Sequence, residues 1–144
     1  MLISELLRRK GSAVTSAPPD TSVAGLLDLL AEHGIGAVVV SADGTTVAGI
    51  VSERDVVRAL RNAGSALLDA PISTVMTEDV AVAAPHQSVE DLMRLMTERR
   101  IRHVPVLNGG RLAGIISIGD VVKSRMEELE SDRGHLIDYI RSGS

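Results

Sequence analysis

The chain has 144 residues and a formal net charge of −4 at pH 7, from 15 Lys and Arg against 19 Asp and Glu. A chain of this length is expected to form one compact domain, and its dispersed basic residues argue against a nucleic-acid partner. The absence of Cys excludes disulfides, thiol catalysis and cysteine-bound metals. With no Phe, no Trp and one Tyr, the core is expected to be aliphatic.

Neither a membrane span nor a signal peptide is predicted. No apolar run approaches the roughly 18 to 20 residues that a membrane-spanning helix requires. The apolar stretch at the N-terminus is too short for a signal peptide, and its charges follow that stretch instead of preceding it. We therefore expect a cytoplasmic protein that does not associate with a membrane.

The first elements are predicted from apolar spacing and from start and stop signals. Residues 1–11 are expected to form an N-terminal helix with a short apolar face, and residues 13–15 a short apolar strand. A helix start signal at residues 19–22 precedes apolar positions with helical spacing. Gly34 then ends this helix as a natural left-handed residue.

The second half of the chain repeats the first. Residues 22–40 match residues 88–106 at a constant offset of 88 − 22 = 66, and residues 47–58 match residues 112–123 at 112 − 47 = 65. The change of one residue in the offset falls in a turn, where an insertion is harmless. We interpret the chain as a duplication of one supersecondary unit.

Each unit is predicted to have the element order β-α-β-β-α. The two consecutive strands are joined at Asp43-Gly44 in the first unit and at residues 108–110 in the second, both of which are hairpin signals. In the second unit, residues 80–83 are expected to form the opening strand. Ser88 with Asp91 resembles a capping box at the start of the helix that follows.

These elements predict an α+β fold with α/β-like layers. Two β-α-β-β-α repeats are expected to pack by pseudo-twofold symmetry, with an extra C-terminal helix. The predicted units are an N-terminal helix (1–11), a first repeat (12–62), a second repeat (73–127) and a C-terminal helical tail (128–144). Because apolar faces remain at both ends, and small domains usually cover such faces by association or by folding back, we predict a homodimer.

The motifs of the two units resemble those of a tandem pair of cystathionine β-synthase (CBS) domains, or Bateman module, standing without a catalytic domain. The resemblance covers about residues 10 to 127. It implies regulatory binding of adenosine-containing ligands, namely AMP, ADP, ATP, S-adenosylmethionine or NAD, and packing of two such modules as a dimer. The matching residues are Gly49-Ile-Val-Ser-Glu-Arg-Asp55, Gly114-Ile-Ile-Ser-Ile-Gly-Asp120, Ile101-Arg-His-Val-Pro-Val106 and Met76-Thr77.

Two Ser-x-x-Asp motifs are the leading candidates for a ligand site. Ser52 with Asp55 and Ser117 with Asp120 occupy matching strand-to-helix junctions. This arrangement is also a helix cap, which is the structural alternative. A cap does not require the preceding Gly-Ile-(Val/Ile) in both halves, and a helix start offers N–H groups to an anion. We interpret each Asp as an acceptor for ribose 2′- and 3′-hydroxyls, with each Ser on phosphate or ribose.

An adenine base would need an apolar slot and a few backbone hydrogen bonds. Strand edges are expected to supply both. The candidate positions are Ile35, Ala81, Val82 and Ile101.

The phosphate is expected to meet the basic residues that open the second unit's strand. Arg102 is the preferred contact, because a guanidinium offers a planar fork to phosphate oxygens. His103 points to the other side of the strand and fits a half-buried strand histidine as well as a ligand contact. Arg100 is a further candidate from the end of the preceding helix.

Three more basic residues lie in or near the Ser-x-x-Asp motifs: Arg54, Arg58 and Lys123. They are candidate nucleotide contacts, with a solvated helix face as the alternative. Opposite Arg102 the first unit has Gly36, so the two clefts are expected to differ, and a substitution of Gly36 is expected to risk backbone strain. Which Asp shares a ligand with Arg102 stays open.

The sequence thus predicts a non-catalytic sensor of adenine nucleotides that acts on an unidentified protein partner. No His-x-x-x-His pattern, nucleophile elbow or Lys-bearing P-loop occurs, so neither a metal nor a catalytic cofactor is expected. One alternative is a structural dimerisation module with vestigial clefts. Another is a nucleotide-processing enzyme.

Overall fold

The computed structural model describes residues 1–143. The helices are α1 (Ile3–Lys10), α2 (Val23–His33), α3 (Glu53–Ala63), α4 (Val89–Arg99) and α5 (Ile118–Ser142). The strands are β1 (Ser16–Ala17), β2 (Ala37–Val40), β3 (Gly49–Ser52), β4 (His103–Asn108) and β5 (Arg111–Ser117). Two 3-10 helices, Gly64–Asp69 and Ile72–Thr74, connect the halves.

The strands form two small sheets, one in each half. In the first sheet β1 pairs in parallel with β2, and β2 pairs antiparallel with β3. In the second sheet β4 and β5 pair antiparallel. The predicted mixed fold of duplicated helix-and-strand units, with a final C-terminal helix, is confirmed.

The two opening strands are shorter than predicted and shifted along the chain. The first lies at Ser16–Ala17 and not at residues 13–15. Of residues 80–83, only Ala83 pairs, through one parallel bridge to Val106. Both predicted strands were therefore wrong in extent.

Proline explains why the second ladder is the shorter one. In the first half the N–H of Val39 donates to the carbonyl of Thr15 over 3.4 Å. The residue that matches Val39 in the repeat is Pro105 (105 − 39 = 66), which has no N–H to donate. The second half consequently keeps the pairing of Ala83 and loses the bond before it.

The turns between the paired strands also differ. Gly109-Gly110 forms a two-residue turn between β4 and β5, with both residues at positive φ. Residues 41–48 separate β2 from β3. There the Oδ1 atom of Asp43 accepts the N–H groups of Thr45 at 2.9 Å and Thr46 at 2.8 Å. The turn predicted in the first half is therefore a longer loop, which the Asp43 carboxylate organises.

Helices α2 and α4 each end in a left-handed residue. Gly34 has φ 61° and Arg100 has φ 54°, so the predicted cap at Gly34 is confirmed. Within residues 1–143, Arg100 is the one non-Gly residue with a positive φ. Because its Cβ crowds the following carbonyl in this conformation, Arg100 carries backbone strain that Gly34 does not.

Apolar side chains form two separate cores, one on each sheet. The first core joins β2, β3, α2 and α3 to residues 70–77, which we call the internal leader. The second core joins β4, β5, α4 and α5 to residues 1–10, which we call the N-terminal leader. Ile3, Leu6 and Leu7 are buried there. The apolar face at the N-terminus is thus covered by folding back onto the second half.

The two leaders dock on their cores through equivalent hydrogen bonds. The N–H of Ile3 donates to the carbonyl of Gln87 at 2.9 Å, and the N–H of Ile72 donates to the carbonyl of Thr21 at 2.8 Å. Gln87 and Thr21 are repeat counterparts (87 − 21 = 66), so Ile3 and Ile72 are counterparts as well. Both isoleucines are fully buried. The leader is therefore part of the duplicated unit.

Helix α5 is continuous over 25 residues and passes through residue 127, where the second repeat was expected to give way to a tail. One face of it carries large apolar side chains that are 48% to 61% exposed. Their spacing places them on one side of the helix. They are Val122, Met126, Leu129, Leu136 and Ile140.

Candidate functional site

The two Ser-x-x-Asp motifs form complete capping boxes at the starts of α3 and α5. The N–H of Asp55 donates to Ser52 Oγ at 3.4 Å, and the N–H of Ser52 donates to Asp55 Oδ2 at 2.8 Å. The matching distances for Asp120 and Ser117 are 3.2 and 2.8 Å. The capping alternative is therefore real, but in both motifs it engages Oδ2 and leaves Oδ1 outside the cap.

The residues just before β2 and β4, which we call the strand entries, lie against the starts of α3 and α5. They are Gly36 in the first half and Arg102 in the second. The N–H of Glu53 donates to the carbonyl of Gly36 at 3.0 Å, and the N–H of Ile118 donates to the carbonyl of Arg102 at 2.8 Å. Arg102, the residue before β4, therefore lies beside the first turn of α5, which carries Asp120. In the first half the counterpart of Arg102 is the uncharged Gly36, and the helix residue that contacts it is the acid Glu53.

The strand entries of the two halves are also close to each other. A Cβ built on Gly36 would lie 3.6 Å from His103 Cε1 and 3.8 Å from the carboxyl carbon of Glu53. These are ordinary contact distances, and the φ of Gly36 is not positive. The prediction that a substitution of Gly36 would strain the backbone is therefore wrong.

His103 is half-buried at this meeting point. Burial lowers the pKa of His103 below its ordinary value, because a charged imidazolium loses solvation there. The negative charges of Asp120 and Glu53 oppose this shift, and the cations Arg102 and Lys10 reinforce it. His103 thus sits within the field of groups from both halves and from the N-terminal leader.

Asp55 has a partner outside its cap, in the internal leader. The Thr77 hydroxyl donates to Asp55 Oδ1 over 3.5 Å, a weak contact at the limit of hydrogen bonding. The backbone of Thr77 is fixed beside β3, because its N–H donates to the carbonyl of Ile50 at 2.8 Å.

Asp120 has a much closer partner, in the N-terminal leader. The Lys10 ammonium lies 2.6 Å from Asp120 Oδ2 and donates to the carbonyl of Ile115 at 2.5 Å. About a quarter of each charged side chain is exposed, 25% for Lys10 and 26% for Asp120. Burial alone would raise the pKa of Asp120, but the hydrogen bonds from Lys10 and Ser117 and the lysine charge outweigh it, so the pKa lies below its ordinary value.

The sequence did not indicate Thr77 or Lys10 as neighbours of the two carboxylates. Thr77 was noted only as part of the family resemblance, and no local motif surrounds Lys10. The Ile-Ser pair shared by residues 3–4 and 72–73 is the signal that could have extended the repeat to the leaders.

The remaining candidate residues are spread around this centre. The partly buried Ile35 packs against the first core and Ile101 against the second. Ala81 is partly buried, while Val82 and the strained Arg100 are exposed. Among the described contacts none ties the exposed Arg54, Arg58 or Lys123 to either Asp. The roles assigned to all of these residues stay predictions.

Among the side chains of residues 1–143, no group of three or more His, Asp or Glu residues could hold a metal ion. None of the helices in this stretch combines the length and the apolarity needed to cross a bilayer.

Comparison with known proteins assigns the fold to a family. The CBS domain family model matches the chain twice, over residues 3–62 and 72–127. The chain is 32% identical to a mitochondrial CBS domain-containing protein of Arabidopsis thaliana in an alignment of 149 positions, which covers 98% of this chain and 72% of that protein.

Solved structures agree with this assignment. The crystal structure of a CBS-domain-containing protein from Agrobacterium tumefaciens is 48% identical, with a TM-score of 0.83 over 87% of this chain and 99% of that chain. A CBS domain protein of Pyrobaculum aerophilum, solved in complex with AMP, is 28% identical, with a TM-score of 0.74 over 83% of this chain and 89% of that chain. This chain therefore belongs to the CBS domain family, as a tandem pair of CBS domains.

Proposed function

We propose that this protein is a non-catalytic regulatory module that binds an adenosine-containing nucleotide, AMP or ATP, in the clefts between its two CBS domains. S-adenosylmethionine and NAD belong to the same ligand class. Its output would be a change in dimer packing or in contact with a regulated protein. The observation that carries the proposal is the pair of matching Ser-x-x-Asp helix starts, in a fold whose relative from Pyrobaculum aerophilum binds AMP.

The ribose is assigned to Asp55 and Asp120 because of the hydrogen bonds each carboxylate can still accept. The backbone N–H of each cap takes one lone pair of Oδ2, so the two hydroxyls of a vicinal diol can use Oδ1 and the second lone pair of Oδ2, which at Asp55 faces the rotatable Ser52 hydroxyl at 3.0 Å. A charge-assisted hydrogen bond of this kind is stronger than one between neutral groups. The two carboxylates are therefore suited to a sugar and unsuited to a phosphate.

The phosphate is assigned to Arg102 because the two strand entries carry opposite charge. Arg102 lies at the start of α5, whereas the corresponding corner of the first half combines Gly36 with the carboxylate of Glu53. A phosphate is attracted to a guanidinium and repelled by a carboxylate. The phosphate of the ligand should therefore lie on the side of the second repeat.

Titration of AMP against Asp55→Ala and Asp120→Ala tests the ribose assignment. Each variant should bind AMP roughly tenfold to a few hundredfold more weakly at its own cleft. Each should also lose about 0.5 to 1 kcal/mol of stability, because a helix cap is removed. The same AMP affinity in both variants as in the wild type would leave capping as their role.

Asp91→Ala is the matched control for this experiment. The N–H of Asp91 donates to Ser88 Oγ at 3.0 Å at the start of α4, so Asp91 occupies the same helix position outside the proposed site. The return bond of the predicted capping box is absent there among the described contacts. This variant should show a small loss of stability and an unchanged affinity for AMP.

Comparing AMP with adenosine tests the role of Arg102. Arg102→Ala should cost AMP about 1.5 to 3 kcal/mol and adenosine almost nothing, because hydrogen bonds to a charged phosphate are the ones lost. Arg99→Ala, at the solvated end of α4, is the control. Combining Arg102→Ala with each Asp variant shows which carboxylate shares a ligand with Arg102, since residues on one ligand are not additive.

We also propose that two copies of the chain associate through α5. The exposed apolar stripe continues into a groove of about 480 Å³ lined by Ile118, Val122, Met126 and neighbouring residues. An apolar face of this kind is typical of an interface between copies. A structural dimerisation module would use the same face, and the absence of nucleotide binding would favour that alternative.

Light scattering measures the association directly. The wild type should have twice the monomer mass, and Leu129→Glu should halve it, because the new charge lies in the middle of the stripe. Ser131→Glu, on the other side of α5, adds the same charge and should leave the mass unchanged. A monomeric wild type at high micromolar concentration would contradict the proposal.

A further inference from the structure

The carboxylates of Asp55 and Asp120 occupy equivalent positions but are not equally available to a ligand. Asp55 Oδ2 accepts the Ser52 N–H at 2.8 Å and the Ser52 hydroxyl at 3.0 Å, and Asp55 Oδ1 accepts the Thr77 hydroxyl over 3.5 Å. Asp120 Oδ2 accepts both the Ser117 N–H at 2.8 Å and the Lys10 ammonium at 2.6 Å. An ammonium at this distance is a strong, charge-assisted partner. The extra donors at Asp55 are therefore neutral hydroxyls, whereas Asp120 already has a cationic partner from the protein itself.

The Lys10 side chain makes the hydrogen bond in the second half that the backbone of Thr77, in the internal leader, makes in the first half. There the N–H of Thr77 donates to the carbonyl of Ile50 at 2.8 Å. In the second half the Lys10 ammonium donates to the carbonyl of Ile115 at 2.5 Å, and Ile115 is the repeat counterpart of Ile50 (115 − 50 = 65). One ammonium thus replaces both the N–H and the hydroxyl of Thr77.

The docking of α1 fixes the position of this ammonium. Leu7, three residues before Lys10, is buried in the second core, and a Cβ on Gly114 would lie only 2.6 Å from its Cδ2 atom. The helix is therefore held closely against β5, one residue before Ile115. Lys10 reaches Asp120 from a helix that the core holds in place.

We propose that Lys10 is a built-in competitor for the ribose position at Asp120, so that the N-terminal leader controls access of an adenosine ligand to the second cleft. This inference rests on the proposed function. A diol at Asp55 needs to displace neutral hydroxyls alone, while a diol that binds both oxygens of Asp120 must first displace the ammonium. By linkage, a ligand bound at Asp120 loosens the last turn of α1, and a partner that pulls α1 away strengthens binding at Asp120.

Lys10→Met tests the competition, since it removes the ammonium and keeps an apolar stem. The experiment uses the full chain with Asp55→Ala, which leaves Asp120 as the remaining ribose site, and AMP as the probe. Adding Lys10→Met to this background should tighten AMP binding about tenfold, which corresponds to about 1.4 kcal/mol. Arg8→Ala, an exposed cation on the same helix, should not change AMP binding.

The opposite results overturn the inference. If Lys10→Met weakens AMP binding, Lys10 is a phosphate contact and not a competitor. If the affinity stays the same, the ammonium does not restrict the cleft. Binding of AMP by neither the wild type nor any variant would mean that the proposed function itself is wrong.

A measurement without nucleotide keeps the position of Lys10 testable in that case. Burial raises the pKa of Asp120, and the hydrogen bond from Lys10 is the largest cause that lowers it, so Lys10→Met should raise the pKa of Asp120 in an NMR titration, and Arg8→Ala should not. An unchanged Asp120 pKa in Lys10→Met would show that the ammonium does not reside at Asp120 in solution, and would also overturn the inference.

Discussion

The surroundings of Asp55 and Asp120 share a backbone plan and differ in chemistry. In each, a leader supplies a donor to the carbonyl of a strand residue, Ile50 in β3 or Ile115 in β5. In one case the donor is a backbone N–H, and in the other it is a lysine side chain. A carbonyl at this position must find a donor, but the requirement does not specify which donor. Duplication can therefore preserve a fold while one copy gains a charge that the other lacks.

The largest expected effect tests whether both leaders are equal parts of their cores. Ile3→Ala and Ile72→Ala should each lower the free energy of unfolding by about 2 to 5 kcal/mol, because both remove fully buried side chains. Urea denaturation measures both losses. A loss below about 1 kcal/mol for Ile3→Ala alone would mean that the N-terminal leader is not docked in solution, and the comparison would fail.

The next prediction compares the atoms that each leader packs against a strand glycine, Gly49 in β3 or Gly114 in β5. Ala at Gly49 would place its Cβ 2.7 Å from Met76 Sδ and 2.8 Å from the backbone carbonyl of Thr77. The three atoms nearest to a Cβ at Gly114 all belong to the side chain of Leu7, the closest at 2.6 Å. Gly49→Ala should therefore cost about 1 to 3 kcal/mol and Gly114→Ala clearly less. Thermal or urea unfolding checks the order.

A double variant tests the cause of this difference. Leu7→Ala combined with Gly114→Ala should be less destabilised than the sum of the two single variants, because the contact is then absent. Strict additivity would show that Leu7 does not lie against Gly114.

The helix ends before the two strand entries provide a smaller test. Arg100→Gly should stabilise the protein by about 0.5 to 1 kcal/mol, since Gly accepts the left-handed conformation without strain. Gly34→Ala, at the counterpart position, should destabilise it by a similar amount. The midpoints of chemical denaturation give both signs, and a destabilised Arg100→Gly would mean that the arginine makes compensating contacts.

The smallest effect concerns pH. Because the folded pKa of His103 is lowered, the folded state binds fewer protons than the unfolded state below the ordinary histidine pKa of about 6.5. The contribution of His103 to the free energy of unfolding is therefore fully present above about pH 6.5 and is lost as the pH falls through the folded pKa. His103→Gln should show a shallower loss of stability from pH 7.5 to 5.5. An unchanged slope would place the pH dependence elsewhere.

The fold was largely predictable because its determinants are local. The offset between the halves, the Gly109-Gly110 turn and the caps at Ser52 and Ser117 follow from short-range patterns. The opening strand before α4 was overpredicted because its length depends on a partner, Pro105, more than twenty residues away. A local pattern of apolar residues does not contain that information.

The candidate site was predictable only in part, for a related reason. The two Asp side chains belong to motifs that recur within one chain. Lys10 contacts Asp120 across 110 residues of sequence, through a helix whose docking depends on the whole second core. The position of Lys10 in the sequence does not predict this contact, because Lys10 and Asp120 become neighbours only when the second core has formed.

The long reach of the N-terminal leader has a consequence for synthesis of the chain. Ile3 forms its hydrogen bond with Gln87, so the ribosome must make more than eighty further residues before this bond exists. At ordinary translation rates of about 5 to 20 residues per second, that interval is on the order of ten seconds. During it, Ile3, Leu6 and Leu7 have no core to enter and are open to binding by chaperones. These three side chains are synthesised well before the core that buries them.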